Sequence, residues 1–160
     1  MALTTQQQAT LAAHIAASAD MNALPPGSTS ALAIADLLNA PASPTFTVWK
    51  SAVRKDEVGK AFQASALAAI TAGNNDKLAN FAAWNETVYP SRQDQRDFFN
   101  DVFSVAAGAT TRANLLALWK RTATRGEKIF AVGTGSDASP ATLDYEGSIS
   151  YIDVKDAMGW

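Results

Sequence analysis

Thr142-Leu-Asp-Tyr-Glu-Gly-Ser-Ile-Ser-Tyr-Ile-Asp-Val154 is where the apolar period of the chain changes. Upstream, apolar residues recur every three to four positions, as on a helix. Here Thr142, Leu143 and Tyr145 precede, and Ile149, Tyr151, Ile152 and Val154 follow, a Glu146-Gly147 break suited to a tight turn. The spacing predicts a short β-hairpin closing a chain otherwise made of helices. A two-stranded hairpin alone is marginal in water, so this one is expected to lie on the helices or to pair with a neighbouring chain.

Just upstream, Gly133, Gly135, Ser136, Asp137, Ser139 and Pro140 make a flexible loop. Before it, Thr110 or Thr111 opens a long helix that points Leu115, Leu116, Leu118 and Trp119 inward and runs through Arg121, Arg125 and Lys128 to Ile129 and Phe130. Gly126 is its weak point. Ser91 and Asp94 start the preceding helix, whose Phe98, Phe99, Val102, Phe103 and Ala106 form a wide apolar stripe ending at Gly108. Asp76 caps a helix carrying Leu78, Phe81 and Trp84, and Gly73, Asn74 and Asn75 stop the one before it. That earlier helix covers 55–71, with Val58, Phe62, Ala66 and Ile70 four residues apart on one stripe.

Pro41 and Pro44 bracket the start of a β-branched and aromatic run, Thr45 to Trp49, that reads as an extended connection or a short edge strand. A helix precedes it from Ser28 or Ser30, with Leu32, Ala35, Leu37 and Leu38 as its buried side. Pro25, Pro26 and Gly27 separate that helix from the first, over 5–19. There Thr4 and Thr5 precede Gln7 and Gln8 at capping-box spacing, and Leu3 is placed to staple the helix start. The fold class is mainly α: a bundle of about five to six helices with a short C-terminal β-hairpin. Residues 1–132 form the helical domain, and 133–160, loop, hairpin and tail, are an assembly extension of it. No linker divides the chain. Deleting 142–160 should therefore leave a helical domain that no longer assembles.

With 160 residues, 48% of them hydrophobic and 18% charged, the chain is apolar enough for one ordinary core. Its surface must be polar mainly through Gln, Asn, Ser and Thr, groups that cost less than charges to bury against a partner. The net charge of −2 does not fit a protein whose main partner is nucleic acid. The densest basic group, Lys120, Arg121, Arg125 and Lys128, reads as a solvated helix face rather than a phosphate-binding stripe. The absence of cysteine excludes disulfides and thiolate chemistry. Residues 1–8 carry no basic leader region, and no apolar run approaches a bilayer span, so no membrane partner is expected.

Chemistry is hard to build from these residues. His14, the one histidine, lacks a second histidine or a carboxylate at helical spacing, and reads as a structural histidine. No G-x-S-x-G elbow exists. Gly133-Thr134-Gly135-Ser136 lacks the preceding strand and the following Lys-Ser or Lys-Thr of a phosphate loop, and reads as a helix stop. Asp94, Asp97 and Asp101 share a helix face, yet Arg92 and Arg96 lie among them, which suits a solvated or intersubunit ion-pair surface better than an acid pair. No enzyme, cofactor or metal is expected. A lytic glycosidase using these carboxylates is the distant alternative. Of the four tryptophans, Trp49, Trp84 and Trp119 fall at positions expected to be buried. Trp160 reads equally as part of a disordered tail and as a docking anchor.

Two stretches carry a likeness. Pro41-Ala-Ser-Pro-Thr-Phe-Thr-Val-Trp-Lys-Ser51 and the run 123–154, ATRGEKIFAVGTGSDASPATLDYEGSISYIDV, resemble a family of small tailed-bacteriophage proteins encoded beside capsid genes, the head–tail connector (adaptor or head-completion) family. They cover about a quarter of the chain. The resemblance implies a virion structural protein assembled in the host cytoplasm. It would form a homo-oligomeric ring of about twelve copies on the portal, in contact with neighbouring head–tail proteins. Contact with DNA would be passive and not sequence-specific. A capsid decoration or tail-end protein is the alternative position. No catalytic residue is carried over. The implied assembly element centres on the hairpin and tail, and its candidate interaction residues are Tyr145, Ile149, Tyr151, Ile152, Val154, Met158 and Trp160.

Overall fold

The capping box at the first helix forms: the Thr4 N–H donates to Gln7 Oε1 at 2.9 Å, and Thr4 Oγ1 accepts from the Gln7 N–H at 3.2 Å. The computed structural model describes residues 3–160. It is mainly helical, with small antiparallel strand pairs. Helices α1 (Thr5–Ala17), α2 (Ala19–Asn22) and α3 (Ser28–Asn39) are followed by strands β1 (Thr47–Trp49) and β2 (Val53–Arg54). Next come α4 (Lys55–Lys60), α5 (Ala64–Ala69), α6 (Ala72–Trp84), β3 (Thr87–Val88) and α7 (Gln93–Val102). A 3-10 turn, Ala106–Gly108, leads into α8 (Ala109–Trp119) and β4 (Lys120–Thr122). The chain then makes α9 (Arg125–Ile129), β5 (Ala131–Val132), β6 (Thr142–Leu143) and α10 (Tyr151–Met158). Strand β1 pairs with β4, β2 with β3 and β5 with β6.

The chain divides into two compact units. One unit joins the first 48 residues to Thr122–Trp160; the other is Trp49–Arg121. In the first, Leu11 and Ile15 of α1 and Ile34 and Leu38 of α3 share a core with Phe130, Tyr145, Ile149 and Val154. Helix α10 packs against both α1 and α3. The Asn39 amide closes the joint, donating to the Ile149 carbonyl at 2.8 Å and accepting from the Ile149 N–H at 2.9 Å. Gly126 lies against both: a Cβ there would come within 2.9 Å of Ile149 Cγ1 and 3.3 Å of the Leu38 carbonyl oxygen. A smaller cluster of Val48, Ala123 and Ala141 is covered by Phe46, Ala131 and Leu143.

The second unit is built around aromatic rings. Phe99 and Phe103 of the α7 region meet Val58, Val102, Leu115 and Trp119 in its core. The Phe99 and Trp119 ring centroids are 5.5 Å apart, and those of Phe62 and Phe103 are 5.0 Å apart, in tilted arrangements favoured by ring quadrupoles. The Arg96 guanidinium stacks over Trp49 at 4.4 Å. Strand β2 registers on β3 through Val53 opposite Val88.

Three expected elements come out differently. The helix expected over 55–71 is two short helices, because the chain turns at Phe62 and the Gln63 N–H bonds Thr111 Oγ1 at 3.0 Å. Its stripe survives the break: Val58 and Ala66 are buried, and Phe62 and Ile70 pack on the same core. The stop read at Gly73 to Asn75 is instead the first turn of α6, opened by Thr71 Oγ1 accepting the Asn74 N–H at 3.2 Å. The long helix expected from Thr110 to Phe130 ends at Trp119, and α9 starts anew from a Thr124–Glu127 capping box. Between them the backbone is extended: the Ala123 N–H donates to the Phe46 carbonyl, and the Lys50 N–H to that of Trp119. Pairing with the β-branched run 45–49 outweighs helix propagation there. Broken this way, the chain has ten α-helical segments among the described residues, not five or six.

The largest correction is at the end. A short antiparallel pair is present near the C-terminus, but its strands are β5 and β6, with Ala131 opposite Leu143 and Val132 opposite Thr142. Of the residues expected to form the second strand, Tyr151 to Val154 form the start of α10 and Ser150 caps it. Ser150 Oγ accepts the Asp153 N–H at 3.1 Å, and Asp153 Oδ2 accepts the Ser150 N–H at 2.8 Å, a third capping box. Ile149 just before the cap and Val154 one turn in are both buried in one core, a hydrophobic staple. Gly159, at φ +67°, ends the helix. The loop read as flexible is tied down as well. The Thr47 N–H donates to the Gly135 carbonyl at 2.7 Å, and Thr134 Oγ1 donates to the Ser139 carbonyl at 2.9 Å.

Gly126→Ala should destabilise the first unit by about 1–3 kcal/mol, because the added methyl must displace Ile149 or the Leu38 backbone. Urea unfolding followed by circular dichroism measures it.

Candidate assembly surface

The seven candidate interaction residues divide by what their own fold does with them. Tyr145 is buried, its ring 5.5 Å from that of Phe130 and its hydroxyl donating to the Ser148 carbonyl at 2.8 Å. Burial, then the Asp153 and Glu127 carboxylates, push the Tyr145 phenol above its ordinary pKa, so it stays a neutral donor. Ile149 and Val154 lie in the core of the first unit, and Met158 and Trp160 pack half-buried against it. These five are structural in the folded chain. Trp160 packs half-buried on the core, and its N–H returns to the Lys155 carbonyl at 3.1 Å.

Tyr151 and Ile152 are different. They occupy the first turn of α10 and remain 44% and 53% exposed. Leu32 of α3, expected on the buried side, is 53% exposed. The buried stripe of α3 is Ala31, Ile34, Ala35 and Leu38, an i, i+3, i+4, i+7 pattern that leaves Leu32 outside it. Leu32 and Tyr151, with Ser28 and Thr29, line a shallow hollow of about 470 Å³. Helices α3 and α10 thus bring two exposed apolar side chains, Leu32 and Tyr151, to one hollow on the first unit. The sequence held a signal for Leu32, since small Ala31 and Ala35 continue the stripe of Ile34 and Leu38 better than Leu32 does.

The second unit has its own exposed aromatic. Trp84, expected to be buried, ends α6 with 86% of its surface open to solvent, and no residue of α6 is fully buried. Leu78 and Phe81 supply the inward contacts of that helix instead.

The groups weighed for chemistry stay apart. Asp94 pairs with Arg92 at 2.6 Å, Asp97 accepts from Gln93 at 2.6 Å and Asp101 pairs with Lys77 at 2.9 Å. All three are exposed. The Arg92 hydrogen bond holds the Asp94 carboxyl below the ordinary range, opposite to what a general acid requires. Among the described residues no three His, Asp or Glu side chains converge as a metal site, and no helix is long and apolar enough to cross a membrane. The four basic residues do not share one helix face: Lys120 and Arg121 are on β4, and Arg125 and Lys128 on α9. Compared with protein-family models, curated proteins and solved structures, the chain matches none.

Ile149→Ala should cost about 2–5 kcal/mol by opening a cavity in the core, whereas Ile152→Ser should stay within about 0.5 kcal/mol, as for an exposed position. Parallel urea titrations of the two variants separate an inward from an outward residue.

Proposed function

We propose that this chain is a structural protein of a tailed-phage virion, an adaptor that assembles as a ring on the portal. The observation that carries the reading is the pair of exposed apolar side chains that α3 and α10 bring to one hollow, Leu32 and Tyr151, with Ile152 exposed beside Tyr151 in the first turn of α10. Two of these side chains belong to the run 123–154, whose likeness to connector proteins suggested assembly in the first place. Tyr and Ile left in water at the start of a capped helix gain about 25 cal/mol for each Å² of apolar surface a partner covers. The uncharged neighbours Ser28 and Thr29 are cheap to desolvate with them.

A ring needs a heterologous contact, in which one face of each copy meets a different face of the next. Such an interface must bury on the order of 1,000 Å² or more in total, so α3 and α10 would form its apolar centre rather than its whole extent. The five other candidate residues contribute indirectly, by fixing α10 where its first turn points outward. In this reading the chain carries out no reaction. Its work is to present a rigid face.

Mixed with its portal, the wild-type chain should sediment as part of a ring-bearing complex, and Tyr151→Ser with Ile152→Asp should stay helical by circular dichroism but sediment alone. Wild-type protein that remains monomeric with portal present and is missing from virions by mass spectrometry would remove the basis of the reading.

A further inference from the structure

The first unit has a polar hollow away from α10. Its volume is about 280 Å³, and His14, Ser18, Ser43, Arg125, Lys128 and Ile129 line it. A lysine, an arginine and a histidine thus line one concavity, with the Asp20 carboxylate near His14. That carboxylate, Asp20, accepts from Arg125 Nη1 at 2.8 Å and is engaged there. Lys128 has no carboxylate partner among the described residues; its ammonium lies 5.4 Å from the Phe46 ring centroid. The Ser18 hydroxyl is already donated to the His14 carbonyl at 2.8 Å, whereas Ser43 is exposed at the rim. The hollow therefore holds excess positive charge in a recess, where field strength exceeds that of an open surface.

We propose that this hollow binds a small oxyanion of the phosphate class, held by the Lys128 ammonium, the Arg125 guanidinium and the Ser43 hydroxyl, with the His14 imidazole alongside. A dianion suits two cations better than a single carboxylate does, and the tetrahedral oxygens can meet donors from several sides. Nucleic acid fits less well. Its affinity comes from many dispersed phosphate contacts, whereas this chain carries a net charge of −2 and offers two cations in a recess. The proposal is independent of the assembly role.

His14 reports on the site. Burial foremost, then the Arg125 charge, push its pKa below the ordinary value; Lys128 adds to this and Asp20 opposes it. These are the charged groups facing it. The folded state thus favours the neutral imidazole, and protonation of His14 lags behind that of the unfolded chain as pH falls below about 6.5. A bound phosphate reverses the local field and raises the His14 pKa. By linkage, protonated His14 favours the bound anion over the free one at any fixed charge state of the phosphate.

Because His14 is the one histidine, its ring protons give a single NMR titration curve on the intact chain. Saturating inorganic phosphate should raise the His14 pKa by about one pH unit relative to sodium chloride of equal ionic strength. Lys128→Gln, at an exposed position, should weaken this effect at least about tenfold, and Ser43→Ala should weaken it by less. A phosphate effect no larger than that of chloride would overturn the proposal. So would full retention in both variants, or a response to a short DNA duplex but not to inorganic phosphate.

Discussion

The amide of Asn39 holds both backbone groups of Ile149, 110 residues away in sequence, and the first unit depends on that joint. Ile149 is buried, so its N–H and C=O have lost water and need partners, yet it lies in neither a helix nor a strand ladder. Asn39, the last residue of α3, supplies one donor and one acceptor at the right separation, as a neighbouring strand would. Gly126 allows the approach by presenting no side chain between Leu38 and Ile149. With that joint made, the Ser150–Asp153 box starts α10 against α1 and α3, and Tyr145, Ile149 and Val154 complete the core.

This constraint explains what the sequence disclosed and what it concealed. Local signals were legible: one of the capping pairs offered at the first helix, Thr4 with Gln7, the extended run at 45–49, and Phe99, Val102 and Phe103 of the aromatic stripe appear where read, whereas Ala106, read into that stripe, is exposed in the 3-10 turn. Continuity was not. The stripe Val58, Phe62, Ala66 and Ile70 has helical spacing, but whether one helix or two carries it depends on Thr111, which captures the Gln63 N–H from 48 residues away. Trp119 through Ala123 has helical composition until the run at 45–49 offers its backbone an extended partner. Both decisions are tertiary, and no local period encodes them.

The stretch 148–154 shows how two local rules compete. Ser-Ile-Ser-Tyr-Ile-Asp-Val nearly alternates, as a strand would, yet it also contains Ser-x-x-Asp preceded by an apolar residue and followed by another, the signature of a stapled helix start. Burial of Ile149 and Val154 on the same side selects the helix, since strand geometry would separate the cap pair. The same selection sorted the candidate surface. Residues read as a gripping ribbon became mostly core, and only Tyr151 and Ile152 kept the outward role, joined by Leu32 from a helix whose stripe was read one residue out of place. Lys128 and Arg125, read as part of a solvated face, instead share a hollow with His14.

The segment after residue 141 completes a core, and amide hydrogen exchange on a chain lacking 142–160 shows whether it does. In the shortened chain Leu11, Ile15, Ile34 and Leu38 should lose the protection they have in the intact chain, because the surfaces of α1 and α3 that meet α10 are laid open. Unchanged protection at those four amides in the shortened chain would contradict it.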